Sequence, residues 1–134
     1  IMLAQLDRLP TLVANRRAVA ERYSELMRDI EAVTLPVELD DRVHPYQSYV
    51  IALSPELDRG AVALELRARS IGCNFGTYAS HLQPLYGEQP ALPVSAGLFA
   101  SHLAIPMHAN LTDDEVSRVA AAVREVTGLA SVRV

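Results

Sequence analysis

The chain has 134 residues, about the length of one average domain. Half of its residues are hydrophobic and 21% are charged, a composition that excludes disordered, collagen-like and low-complexity proteins. All twelve positive residues are arginine, and sixteen acidic residues bring the formal net charge to -4. Because no arginine stripe carries interleaved aromatic residues, we expect no nucleic-acid binding.

The setting of the chain follows from two further features. No apolar run approaches the roughly 18 residues that a membrane-spanning helix needs, and the first residues lack the order of a signal peptide. Cys73 is the single cysteine, so nothing argues for an oxidising compartment. We therefore expect no membrane partner and a cytoplasmic location.

Apolar side chains recur at helical spacing through residues 1–30, which predicts a long N-terminal helix. Pro10 lies inside it, so the helix should kink there, or a second helix should begin near Pro10. The apolar start at residues 1–4 has no cap and is typical of a helix cut from something longer. If so, Ile1, Leu3, Leu6 and Leu12 would form an exposed apolar patch.

The central part predicts a strand over residues 46–53, which are rich in aromatic and β-branched residues. A helix should follow, capped by Asp58 or Ser54 and ending at a left-handed Gly72. A short strand is predicted over residues 73–77. Residues 78–93 are rich in proline, glycine and glutamine and predict an ordered loop with one helical turn.

The last third predicts a short helix over residues 94–102 and an extended segment over residues 104–108. Thr112 and Glu115 form a capping box that starts a final helix, which should end at Gly128 before a short valine-rich tail. The fold class is therefore α+β, with a small, mostly antiparallel sheet, helices packed on one side, and a long kinked N-terminal helix in front.

Few residues point to chemistry on their own. The four histidines match no common zinc spacing, and no phosphate-binding or nucleophile motif is present. Cys73 next to glycine in an apolar stretch favours packing over a nucleophilic role. Residues 76–86 crowd polar groups into one loop, where they could converge on a ligand or could satisfy the backbone of the loop itself.

Five short stretches, in this order, resemble the C-terminal small domain of the DegT/StrS-type sugar aminotransferases, enzymes of the aspartate-aminotransferase fold that use pyridoxal phosphate (PLP). The stretches are QLDRL at 5–9 with NRR at 15–17, HPYQSYV at 44–50, IG at 71–72, GTY at 76–78 leading to HLQP at 81–84, and IPMH at 105–108 before LTDDEV at 111–116. Tyr78 and His81 stand only three residues apart, which resembles a shortened form of the family's loop.

The resemblance implies that residues 1–134 are the small domain of a homo-oligomeric enzyme whose large, PLP-binding domain is absent from this chain. The parent enzyme would transfer an amino group from an amino acid, glutamate by expectation, to a keto nucleotide-sugar. Tyr78 and His81 would contact the substrate, and His44 would either do so or brace the following strand. The 134 residues contain no lysine to bind PLP covalently, so no cofactor should bind this chain alone. The alternative is a freestanding, non-catalytic dimerisation or interaction module.

Overall fold

The computed structural model describes residues 2–131. The helices there are α1 (Met2–Leu6), α2 (Leu9–Met27), α3 (Arg59–Ala68), α4 (Pro93–Ser101) and α5 (Asp113–Ser131), and the strands are β1 (Val33–Thr34), β2 (Tyr49–Leu53), β3 (Asn74–Phe75) and β4 (His102–Ile105). The four strands pair antiparallel in the order β1-β2-β4-β3. The α+β prediction is confirmed.

The N-terminal helix is divided in two, as Pro10 predicts. Helix α1 ends at Leu6 and α2 begins at Leu9, with Pro10 in its first turn, where the missing N–H costs no hydrogen bond. Leu3, Leu6 and Leu9 are exposed, whereas Leu12 is half-buried. Ile1 lies outside the described residues. The N-terminal turns thus carry apolar side chains that this chain does not cover.

One face of the sheet forms the core. Along β2 the side chains alternate between buried and half-buried, and Tyr49, Ile51 and Leu53 face inward. The register sets Ile51 opposite Leu103 and Tyr49 opposite Ile105 on β4, so one continuous apolar surface results. Buried residues of α2, α3 and α5 cover this surface, whereas α4 contributes no buried residue and lies against β2.

Two tyrosines carry polar groups into this core. Tyr23 and Tyr49 are fully buried, with ring centroids 5.1 Å apart. The Tyr23 hydroxyl donates to the carbonyl of Pro106 at 3.0 Å, and the Tyr49 hydroxyl lies 2.9 Å from Oγ of Ser24. Burial raises the pKa of both phenols. These side chains combine a large apolar contact with a satisfied polar end.

Helix α3 begins where the cap predicts and ends earlier than predicted. The Asp58 carboxylate accepts the backbone N–H of Ala61 at 2.6 Å. The predicted left-handed Gly72 is wrong: Ser70 adopts that conformation, with φ of 60°. Because the N–H of Ile71 bonds back to the carbonyl of Leu66 at 3.0 Å, the turn closes in time to bury Ile71.

Helix α5 begins at the predicted capping box and continues past its predicted end. The Thr112 N–H donates to the Glu115 carboxylate at 2.9 Å, and the Glu115 N–H donates to Oγ1 of Thr112 at 3.3 Å. The predicted end at Gly128 is wrong, since α5 runs to Ser131. Burial of Val126 and Thr127 holds the preceding turn, which outweighs the low helix propensity of one glycine. The predicted tail lies outside the described residues.

The strands also differ in extent from their sequence patterns. Strand β2 begins at Tyr49 instead of residue 46, because Tyr46 has a positive φ of 45° that a strand does not accommodate. The Tyr46 N–H donates to Nδ1 of His44 at 2.9 Å. Strand β1 pairs two residues with the end of β2, and a pair that short carries no alternation that a sequence could reveal.

Candidate functional site

The loop over residues 76–86 leaves the sheet at Gly76. The Gly76 N–H donates to the carbonyl of His102 at 3.0 Å, which extends the pairing of β3 with β4 by one bond. A Cβ at this position would lie 2.5 Å from Cγ1 of Val50 and 2.7 Å from Cβ of His102. Glycine therefore lets the backbone lie close against Val50 and His102, and the loop starts from a fixed point.

Beyond Gly76 the loop is ordered by one buried side chain and two short turns. Ala79 is fully buried, and 3-10 turns follow at Ser80–Leu82 and Pro84–Tyr86. Gly87 ends the second turn with φ of 62°, a conformation that glycine adopts without strain. The predicted ordered loop is confirmed, with two turns of 3-10 helix instead of one helical turn.

Tyr78 and His81 both lie on this loop and both reach solvent. Tyr78 is 61% exposed, and His81 is half-buried in the first 3-10 turn. In the part of the chain that the structure describes, neither the Tyr78 hydroxyl nor the His81 imidazole has a hydrogen-bond partner. Their polar atoms are therefore free to bind a group from outside the chain.

The surroundings of the loop are unusually apolar for an exposed surface. Between β3 and the end of α4, eight large hydrophobic side chains are more than a third exposed: Phe75, Tyr78, Leu82, Leu85, Tyr86, Leu92, Val94 and Leu98. A concentration of exposed apolar side chains in one segment is typical of an interaction site or a ligand cleft. We name residues 75–98 the loop surface.

An arginine at the edge of this surface was not anticipated from the sequence. The Arg59 guanidinium lies 4.2 Å from the ring centroid of Phe75 and 4.5 Å from that of Phe99, and its Nη1 donates to the Phe99 carbonyl. The Phe75 ring meets the Tyr78 ring edge to face, with centroids 5.7 Å apart. A sequence signal was present, because a cation in the first turn of a helix opposes the helix dipole and calls for another partner.

His44 belongs to a different polar cluster, around the segment before β2. Arg17 donates to the Glu38 carboxylate at 2.7 Å and to the His44 carbonyl at 2.9 Å. The Arg17 guanidinium lowers the pKa of the Glu38 carboxyl. His44 is exposed, and its Nδ1 accepts the Tyr46 N–H. Of the two roles expected for His44, these contacts favour bracing of the strand.

Cys73 is a packing residue in this fold. Its thiol is half-buried and lies 3.6 Å from the carbonyl of Ala63, and burial raises its pKa. A raised pKa keeps the sulfur as a thiol at neutral pH, whereas nucleophilic catalysis needs the thiolate. Within residues 2–131, no three metal-ligating side chains come together, and no helix has the length and apolar character to cross a membrane.

Comparison with known proteins places the chain in a family. The family model of the DegT/DnrJ/EryC1/StrS aminotransferases matches residues 1–124. Over 117 residues the chain is 33% identical to a dTDP-4-dehydro-2,3,6-trideoxy-D-glucose 4-aminotransferase of Saccharopolyspora spinosa, an alignment that covers 87% of this chain and 30% of the relative.

Solved structures show the same fold. The aminotransferase TlmJ from Streptoalloteichus hindustanus matches with a TM-score of 0.86 and 30% identity over 96% of this chain and 35% of TlmJ. The PLP form of Spr1654 from Streptococcus pneumoniae matches with a TM-score of 0.86 over 96% of this chain and 34% of Spr1654, and at 22% identity it shows likeness of fold alone. The chain spans about a third of the length of these proteins. It belongs to the DegT/DnrJ/EryC1/StrS aminotransferase family.

Proposed function

We propose that this chain is the C-terminal small domain of a cytoplasmic, PLP-dependent sugar aminotransferase. The parent enzyme would transfer an amino group from an amino acid, glutamate in our proposal, to the keto group of a nucleotide-sugar. The observation that carries the proposal is the family match over residues 1–124. The name of the Saccharopolyspora relative, a 4-aminotransferase of a dTDP-linked sugar, supports the substrate class.

The cofactor would be held by another part of the parent enzyme. PLP supplies an electron sink for amino-group transfer, and it is normally held through a lysine amine. The 134 residues contain no lysine, so the side chains present do not fit that role. We therefore assign no step of the cofactor chemistry to this chain, which would be inactive in isolation.

The contribution of this chain would be one wall of the substrate cleft, with Tyr78 and His81 as contacts to the nucleotide-sugar. The Tyr78 hydroxyl can both donate and accept a hydrogen bond. The imidazole N–H of His81 can donate to a phosphate oxygen or a sugar hydroxyl. Both groups are accessible and unpartnered within the described residues. Tyr78 also stands among exposed apolar side chains, which would exclude water from a bound ligand.

The test is His81→Ala in the parent enzyme. We expect kcat/KM for the nucleotide-sugar to fall about tenfold or more, since a lost hydrogen bond to a charged group costs roughly 1.5–3 kcal/mol, while the thermal midpoint stays unchanged. His108→Ala is the control, because His108 is an exposed histidine whose Nδ1, among the described residues, accepts only the N–H of Asn110, at 3.3 Å. A stability loss near 2 kcal/mol with turnover per folded molecule intact would refute the role of His81.

We also propose that the parent is a homo-oligomer and that the isolated chain self-associates. Leucines 3, 6 and 9 are exposed, so the N-terminal turns carry apolar side chains that a second copy could cover. Light scattering should report a dimer or larger species, and Leu6→Glu should shift it toward monomer, whereas Leu64→Glu, at another exposed leucine, should not. A monomer at high protein concentration would contradict this. A freestanding interaction module would also self-associate, but no large domain would be encoded in frame upstream.

A further inference from the structure

Arg59 is held by contacts that its own helix does not explain. As the first residue of α3 it follows the Asp58 cap, whose carboxylate is already used by the N–H of Ala61. Its charge stands at the positive end of the helix dipole, and no ion-pair partner for it occurs among the described residues. Its partners are instead two aromatic rings and one carbonyl.

These contacts join three elements at the base of the loop surface. The guanidinium reaches from α3 to Phe75 on β3 and to Phe99 on α4. The ring centroids of Phe75 and Phe99 are 5.5 Å apart. A planar guanidinium can stack on an aromatic ring and still donate a hydrogen bond at its edge, whereas an ammonium is a compact point charge with no flat face to stack. The Phe75 ring is therefore in contact with both the Arg59 guanidinium and the Phe99 ring.

The Phe75 ring in turn contacts the Tyr78 ring. Their rings are nearly perpendicular, at 87°, the edge-to-face arrangement that aromatic pairs prefer. Tyr78 is 61% exposed and has no hydrogen bond within the described residues, so the contact with the Phe75 ring is the directional contact that these residues give it. We propose that Arg59 is a positioning residue: by clamping Phe75 it sets the direction in which Tyr78 presents its hydroxyl to the nucleotide-sugar. The substrate part of this inference rests on the proposed function.

The clamp can be tested on the 134-residue chain without any ligand. In the wild type, NMR should show nuclear Overhauser contacts between the Phe75 and Tyr78 rings. Arg59→Leu should abolish them while the methyl resonances of buried Leu103 stay unchanged, and Arg22→Leu, at a surface arginine paired with Glu25, should preserve both signals. If Arg59→Leu does not fold, Arg59→Lys should fold and lose more than half of the contact intensity. Retained ring contacts in a folded Arg59 variant would overturn the clamp.

The functional consequence is tested in the parent enzyme. Arg59→Leu should raise KM for the nucleotide-sugar about tenfold with kcat within twofold of wild type, and adding Tyr78→Ala should raise KM no further. If KM of the double variant rises by the product of the two single-variant increases, the proposal is overturned, since Arg59 would then act independently of Tyr78. If Tyr78→Ala alone leaves KM unchanged, the proposed substrate contact of Tyr78 is refuted and the substrate part falls with it, while the NMR result still decides whether Arg59 orients Tyr78.

Discussion

Tyrosines in two regions of this molecule have opposite surroundings. Tyr23 and Tyr49 are fully buried in the core, and both hydroxyls bond within the chain. Tyr78 and Tyr86 lie on the loop surface, 61% and 56% exposed, and their hydroxyls have no partner among the described residues. The same side chain packs in the core with a bonded hydroxyl in one region and exposes an unbonded hydroxyl in the other, so position in the fold decides whether the hydroxyl is used within the chain or stays accessible to solvent.

Truncating one leucine in each region should produce the largest difference in stability between the core and the loop surface. Leu103 is fully buried on β4, and we expect Leu103→Ala to lower the free energy of unfolding by about 2–5 kcal/mol, since a cavity remains in the core. Leu85 is 87% exposed on the loop surface, so Leu85→Ala should change it by less than about 0.5 kcal/mol. Chemical denaturation of both variants measures this, and similar losses would contradict the contrast.

A smaller effect is expected where the two regions meet, at Gly76. Its Cβ position is 2.5 Å from Val50 and 2.7 Å from His102, so Gly76→Ala should overpack this contact and cost roughly 1–3 kcal/mol in denaturant titrations. Gly72→Ala is the matched control, since a Cβ at that position meets nothing within 4 Å. Equal stabilities of the two variants would mean that the Gly76 backbone does not lie in close contact with Val50 and His102.

Local chemistry explains what the sequence could predict. Three predicted features occur in the fold: the Asp58 cap, the Thr112 capping box and the break near Pro10. Each depends only on residues that are neighbours along the chain. The predicted ends at Gly72 and Gly128 failed because burial of Ile71 in one case, and of Val126 and Thr127 in the other, decided where the helix stops. Such burial depends on distant elements that local propensity does not describe.

The candidate site also has one part that the sequence predicts and one part that it does not. The family motif around the loop locates Tyr78 and His81 in sequence, and the structure gives them accessible polar atoms. The contacts of Arg59 join residues that are 16 and 40 positions apart along the chain. No short motif encodes such a contact, although the unfavourable dipole position of Arg59 indicates that a partner exists.

The smallest effect should come from the hydroxyl of Tyr23. Tyr23→Phe keeps the ring but removes the donor to the Pro106 carbonyl, at 3.0 Å, so near neutral pH we expect a loss of about 1 kcal/mol in the free energy of unfolding. Burial raises the pKa of this phenol in the folded chain. The unfolded chain therefore releases the proton first, near pH 10, and stability is full below that pH and falls as the pH rises toward the folded-state pKa.

The Tyr23→Phe variant lacks this titrating group, so its free energy of unfolding should fall less steeply above pH 10. The difference in free energy of unfolding between wild type and Tyr23→Phe should therefore narrow. Tyr86→Phe removes an exposed hydroxyl and should follow the wild-type curve throughout. Denaturant titrations between pH 7 and 11.5 make the comparison. A gap that stays constant over this range would show that the Tyr23 phenol ionises equally readily in the folded and unfolded chains, and the contrast between buried and exposed tyrosines would then lie in packing alone.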